Sequence, residues 1–256
     1  MKSHPHQLHL FLNALAYFTR IKVPEWVEFS VENQANSLKY LPWVGLIVGL
    51  LSATAYILCS FLFTHEIAII LAMVTCILIT GALHEDGLAD CCDGFGGGWD
   101  KSQVLKIMKD SRIGTYGTLS LIAVFALKYQ SLSSIEDTVS ILITAQVISR
   151  IFPLWIVSQN IYAGRQEQSK SAEIISRFNT SDLMIASIPG IFCLLLLPIS
   201  FISVLLPCFL LNLWLSHYFK KRIGGYTGDC LGCSQQLTEV TLYLWICLPL
   251  FTPLIH

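Results

Sequence analysis

The chain has 256 residues, 54% of them hydrophobic and only 13% charged, with a formal net charge of −1. An average soluble domain carries roughly a quarter charged residues, so this composition excludes an ordinary soluble fold and predicts a membrane protein. Without a basic stripe interleaved with aromatics it also argues against a nucleic-acid partner.

From the N-terminus, Met1–His9 is polar with a single Lys and no small-residue cleavage site follows, so no cleavable signal peptide is expected. Leu8–Tyr17 is too short to span and reads as an interfacial or re-entrant helix. Seven main spans are then expected, near 41–63, 67–84, 113–132, 138–160, 183–198, 200–218 and 237–255. Pro198 divides the long apolar run 183–219 into a helical hairpin. The predicted class is all-α: a polytopic helical bundle, with 1–256 as one membrane-embedded domain.

The cations fall on alternate connections. Arg20, Lys22, Lys39, Lys101, Lys106, Lys109, Arg112, Arg165, Lys170, Arg177, Lys220, Lys221 and Arg222 occupy 20–39, 85–112, 161–181 and 219–236, and only Lys128 lies near the opposite set. The positive-inside rule makes the first set cytoplasmic.

Residues 84–93, HEDGLADCCD, end the second span with Asp86, Asp90 and Asp93 at i, i+4 and i+7, on one face of a helix. Oxygen-only ligands at this density suit Mg²⁺ or Mn²⁺ shared with phosphate oxygens. A solvated acidic loop would carry the same letters, but charge at the end of a membrane helix is costly and usually functional. Glu85 is about 100° off that face. His84 reads equally as a ligand neighbour or as an interface histidine bonded to backbone. Gly94–Gly98 is expected to break the helix and could let backbone amides approach phosphate. Asp100 with Gln103 forms a capping box for a helix over 101–110 that buries Val104, Ile107 and Met108. In KDSRIGTYG, Lys109, Ser111 and Arg112 could grip a pyrophosphate, or simply anchor the chain on the positive side. Asp93 or Asp110 could act as general base.

Arg150 lies deep in the fourth span and needs an acidic or phosphate partner. GGYTGDCLG, 224–232, opens the last span with Thr227 and Asp229, and Glu239 follows ten residues after Asp229. Glu239 reads either as a helix N-terminal charge or as a site residue. Of nine cysteines, Cys91, Cys92, Cys230 and Cys233 lie outside the apolar runs. They could form a four-thiolate zinc site, although adjacent Cys91 and Cys92 are an awkward ligand pair.

HEDGLADCCDG (84–94), IMKDSRIGTYG (107–117) and GGYTGDCLG (224–232), supported by FLNALAYFTRIKVP (11–24) and LPWVGLIVGL (41–50), resemble the cobalamin synthase family, in the family's order and over nearly the whole chain. The resemblance implies an adenosylcobinamide-GDP ribazoletransferase of the bacterial inner membrane. Such an enzyme joins adenosylcobinamide-GDP to α-ribazole or its 5′-phosphate and releases GMP. It further implies Mg²⁺ on Asp86, Asp90 and Asp93, phosphate held by Lys109, Ser111, Arg112 and Arg150, and Asp229 among the substrate-binding residues, with the site facing the cytoplasm. The Asp pattern is also chemically analogous to that of CDP-alcohol phosphotransferases. A lipid-forming enzyme of that kind would need a fuller motif after Asp93. A cation-coupled transporter would be expected to show internal repeats, and none is seen. The oligomeric state is left open.

Overall fold

The computed structural model describes residues 6–164, 178–195 and 197–248. The cations Arg165, Lys170 and Arg177 and the 249–255 end of the last predicted span lie outside them. Among the described residues every regular element is helical; one isolated bridge pairs Tyr162 with Tyr226.

The predicted short N-terminal helix is α1, His6–Phe18. Its Ala14, Leu15 and Phe18 pack on Leu41, Val44 and Val48 of α3, Leu41–Ser60. Between them, α2, Val31–Ser37, starts where Ser30 Oγ accepts from the Asn33 N–H at 3.0 Å. The next helix, α4, His65–Thr80, is tied to α3 by Ser52 Oγ donating to Ala72 O at 2.9 Å. Two consecutive left-handed residues, Gly81 (φ 66°) and Ala82 (φ 59°), end α4. They turn the chain by 87° into α5, Leu83–Gly97. Gly suits position 81, because a Cβ there would strike the Arg20 guanidinium and the positive φ strains any other residue.

The remaining helices are α6, Lys101–Met108; α7, Thr115–Leu132; α8, Thr138–Ile148; α9, Ile151–Gln159; α10, Thr180–Leu195; α11, Leu205–Ile223, entered through the 3₁₀ turn Ile199–Val204; and α12, Gly228–Ile246. Within the described residues the predicted spans fall on helical segments, 138–160 on the two helices α8 and α9, and the chain turns at Pro198 between α10 and the 3₁₀ turn. Among the described residues, length and apolarity together are met by three helical rods, Val31–Ser60, Thr138–Gln159 and Ile199–Ile223, or by four if bent α4–α5 is one span. Seven spans are not confirmed. The end of the second predicted span folds away at 81–82, and α12 carries Asp229, Gln235, Gln236 and Glu239 along its first twelve residues. Large apolar side chains such as Leu62, Leu78, Phe192 and Ile199 remain on the outer surface, as a bilayer-facing bundle requires.

The connections segregate to two ends. At one end Gly81 abuts Arg20, Arg222 donates to Gly98 O at 2.7 Å, and the Tyr226 N–H donates to Ile161 O at 3.1 Å. At the other, Glu136 and Asp137 share a cleft with Leu197 and Pro198. The described loop cations sit at the first end. Lys128, the sequence's exception, is no loop cation: it is buried and bonded to Glu239 at 2.9 Å.

Candidate active site

The site begins where α5 crosses α12. Gly87 and Gly232 meet with no room for side chains: a Cβ on Gly87 would lie 3.0 Å from Asp229 O, and one on Gly232 3.1 Å from His84 O. This approach sets the exposed Asp86 and half-buried Asp90 beside Asp229, in the first turn of α12. Asp90 feels the negative charges of Asp86, Asp229 and Asp93, and Asp229 feels Asp86 and the cation of Lys109. Asp86 and Asp229 each occupy the first turn of a helix, where the macrodipole favours anions. Thr227 caps α12, its Oγ1 accepting from the Cys230 N–H at 3.3 Å and lying 3.3 Å from the Asp229 carboxylate. Burial, and then Asp86, hold the Asp229 carboxyl above the usual carboxylate range.

Asp93 has a different engagement. Its two oxygens accept from the N–H groups of Gly114 at 2.6 Å and Gly117 at 2.9 Å. It therefore caps α7 from another helix, and a Cβ at either glycine would collide with its carboxylate. Those glycines of the KDSRIGTYG stretch serve this cap. Likewise Gly94–Gly98 does not form a phosphate loop. The helix runs on to Gly97, and the missing Cβ atoms admit Met108 at Gly94, Tyr116 at Gly96 and Val104 at Gly98. Asp100 caps α6 as expected, accepting from the N–H groups of Ser102 at 2.8 Å and Gln103 at 3.0 Å, while Gln103 Oε1 accepts from the Trp99 N–H.

Asp110 and Arg112 are bonded to each other, at 3.0 and 2.7 Å, and both side chains are open to solvent. The guanidinium pulls the Asp110 carboxyl down to about 2, too weak a base to accept a proton near neutrality. Ser111 is exposed in the same turn. Lys109 looks into a cavity of about 610 Å³ that reaches Asp229.

Arg150 departs furthest from expectation. It is enclosed, 1% exposed, at the junction of α8 and α9, and its Nη1 donates to Gln146 O at 2.7 Å and Gln146 Oε1 at 2.6 Å. It belongs to a buried polar network. Lys128 pairs with Glu239 and donates to Gln236 Oε1 at 2.8 Å. Glu239 accepts from Gln146 at 2.9 Å, Gln235 at 3.0 Å and Tyr243 at 3.1 Å. Gln236 donates to Glu85 Oε1 at 2.9 Å, which attaches the network to the inner side of α5, away from Asp86 and Asp90. Sequence reading missed Lys128, Gln146, Gln235 and Gln236. Their signal was present as polar residues inside apolar runs.

Cys91, Cys230 and Cys233 meet in the apolar core between α5 and α12, and all nine cysteines are free. Among the described residues no group of three or more His, Cys, Asp or Glu is arranged to hold a metal by itself, so the four-thiolate zinc reading has no support. That arrangement differs from what Mg²⁺ asks of a protein: one or two carboxylates, with waters and substrate phosphate completing the shell. Asp86 and Asp90, an accessible oxygen-donor pair one helical turn apart, fit that requirement.

A protein-family model described as Cobalamin-5-phosphate synthase matches residues 10–247. The chain is 42% identical over 246 residues to the adenosylcobinamide-GDP ribazoletransferase of Shewanella frigidimarina (strain NCIMB 400), covering 94% of each chain. It is 41% identical over 243 residues to the protein of that name from Shewanella oneidensis, covering 93% of each. With that of Shewanella pealeana it shares 40% over 250 residues, 95% of this chain and 96% of the other. No solved structure matches.

Proposed function

The chain belongs to the cobalamin-5-phosphate synthase family, and from that membership we infer that it is an adenosylcobinamide-GDP ribazoletransferase. A hydroxyl of α-ribazole, or of its 5′-phosphate, attacks the phosphorus bonded to the cobinamide. The bond from that phosphorus to the bridging oxygen breaks, GMP leaves with the oxygen, and the product is adenosylcobalamin or its 5′-phosphate. The observation that carries this reading is the meeting of Asp86 and Asp90 with Asp229 and Lys109 where α5 crosses α12.

Asp86 and Asp90 would hold Mg²⁺, which supplies charge neutralisation at the pyrophosphate. Lys109 holds phosphate charge at the adjoining cavity. Asp229 takes the proton of the attacking hydroxyl: it stands beside Asp86 and Asp90 but is not one of the metal-holding pair, whereas Asp110 is tied to the Arg112 guanidinium. Asp93 orders α7 beside them through its two backbone bonds.

We place the site on the cytoplasmic side of a bacterial inner membrane crossed several times by the chain. The gathering of the loop cations at the end that holds the acids supports this orientation. The test is GMP release by membranes containing the protein, given adenosylcobinamide-GDP, α-ribazole and Mg²⁺. Stoichiometric GMP and cobalamin are expected; GMP without cobalamin, or neither product, would refute the reading.

A further inference from the structure

The cavity of about 610 Å³ lies between α6 and the turns that carry Tyr162 and Thr227–Asp229. Its volume falls in the range of small-ligand sites, roughly 300–1,000 Å³. Lys101 and Lys106 of α6 and Lys109, which follows it, line it, against the single carboxylate of Asp229. Leu105 and Tyr162 give it an apolar wall. That wall is braced: the Ala163 N–H donates to Tyr226 O at 2.8 Å, and the Tyr162 and Tyr226 rings meet edge to face at 5.7 Å between centroids. Gly228, also at the cavity, would direct a Cβ into open space, with nothing within 4 Å.

Each feature narrows the ligand. Three ammonium groups against one carboxylate select an anion. An apolar wall with an aromatic ring suits a flat base. The opening at Asp229 joins the cavity to the acids that receive the pyrophosphate. A corrin ring with its amide side chains is too large for this space; free α-ribazole has no negative charge to offer the lysines, and its 5′-phosphate, which has one, is the competitor that the test below separates from GMP.

We propose that this cavity is the guanosine-phosphate subsite: it seats the GMP half of the nucleotide substrate and holds GMP as it departs, while the ribazole hydroxyl reaches the Asp229 carboxylate from its opposite side, where Asp86 and Asp90 stand. This rests on the ribazoletransferase reading and adds which half of the substrate goes where. Lys101 and Lys106 hold the leaving phosphate, Tyr162 faces the base, and Gly228 keeps the floor open.

The test is binding of GMP to the detergent-purified protein by calorimetry, beside steady-state kinetics with each substrate. For the double variant Lys101→Ala/Lys106→Ala, whose side chains are exposed and whose loss does not disturb the core, GMP affinity should fall about tenfold or more. The KM for α-ribazole should stay within about twofold of wild type, a change of well under 1 kcal/mol. Gly228→Leu, whose Cβ meets no protein atom within 4 Å, should lose GMP binding at an unchanged melting temperature. Unchanged GMP affinity in the double variant, or a raised KM for α-ribazole or its 5′-phosphate with GMP binding intact, would overturn the assignment and make the cavity an acceptor site. Either result leaves wild-type transferase activity in place, so failure here is distinct from failure of the function itself.

Discussion

At the scale of single residues, the carboxylates near α5 divide by what already holds them. Asp93 has both oxygens on backbone N–H groups, whereas no bond of that kind ties Asp86. Asp93→Asn keeps the shape but loses charge-assisted acceptance at one oxygen, so it should destabilise the protein by roughly 1–3 kcal/mol. A thermal melt in detergent should show this drop, with the Mg²⁺ requirement of the remaining activity unchanged. An altered Mg²⁺ requirement at unchanged stability would return Asp93 to the metal. The Lys128–Glu239 pair makes a second case. Glu239→Gln strands a buried ammonium and should cost about 3–5 kcal/mol, and Lys128→Met/Glu239→Gln together should recover part of it. A double-mutant cycle on melting measures the coupling; additivity would mean that the pair contributes nothing. Asp229 predicts a pH effect. A base must be deprotonated to act, and burial holds this carboxyl above its ordinary range. Turnover should therefore rise with pH through that raised value, and Asp229→Asn should be slow at every pH with this limb absent. A limb that persists in Asp229→Asn would assign the base elsewhere.

At the scale of elements, the Gly87–Gly232 contact decides whether the site exists. Gly87→Val would put atoms against Asp229 O and Gly232 Cα, already 3.0 and 3.2 Å from a bare Cβ. The helices must then separate, and Asp229 leaves Asp86 and Asp90. Activity should fall at least about a hundredfold, because misplacement by about 1 Å can cost that much; near-normal turnover in a folded Gly87→Val would show that the crossing does not position the acids. The shared face of Asp86 and Asp90 and the cap at Asp100 were legible in the sequence because both depend on spacing within one helix. The turn at Gly81–Ala82 was not, since an alanine in left-handed conformation carries no local signal. The glycines at 94–98 and 114–117 misled for a related reason: a missing Cβ admits a phosphate, a side chain or a capping carboxylate equally well, and only the fold chooses.

At the scale of the whole molecule, the helical class and the gathering of cations and acids at one end could be read from the chain, because bilayer thickness and loop charge constrain the sequence directly. The association of Asp229 with the α5 acids came from family resemblance, since more than a hundred residues separate them and no periodicity links them. Arg150 was read as seeking a charge; it feels the buried carboxylate of Glu239 but bonds directly to Gln146, a neutral link that composition cannot single out. The orientation predicts that a cysteine at Ser102, exposed on α6, resists a membrane-impermeant reagent in intact cells and reacts once they are opened. Labelling from outside would reverse the topology. The most direct test of the central claim, that the acids meeting at the α5–α12 crossing carry out pyrophosphate exchange, is GMP release by Asp86→Asn beside wild type, at matched melting temperature and over a Mg²⁺ titration. Removing one metal-holding charge should lower the rate by about 10³ or more, several kcal/mol of transition-state stabilisation. A folded Asp86→Asn that turned over at the wild-type rate at limiting Mg²⁺ would contradict it.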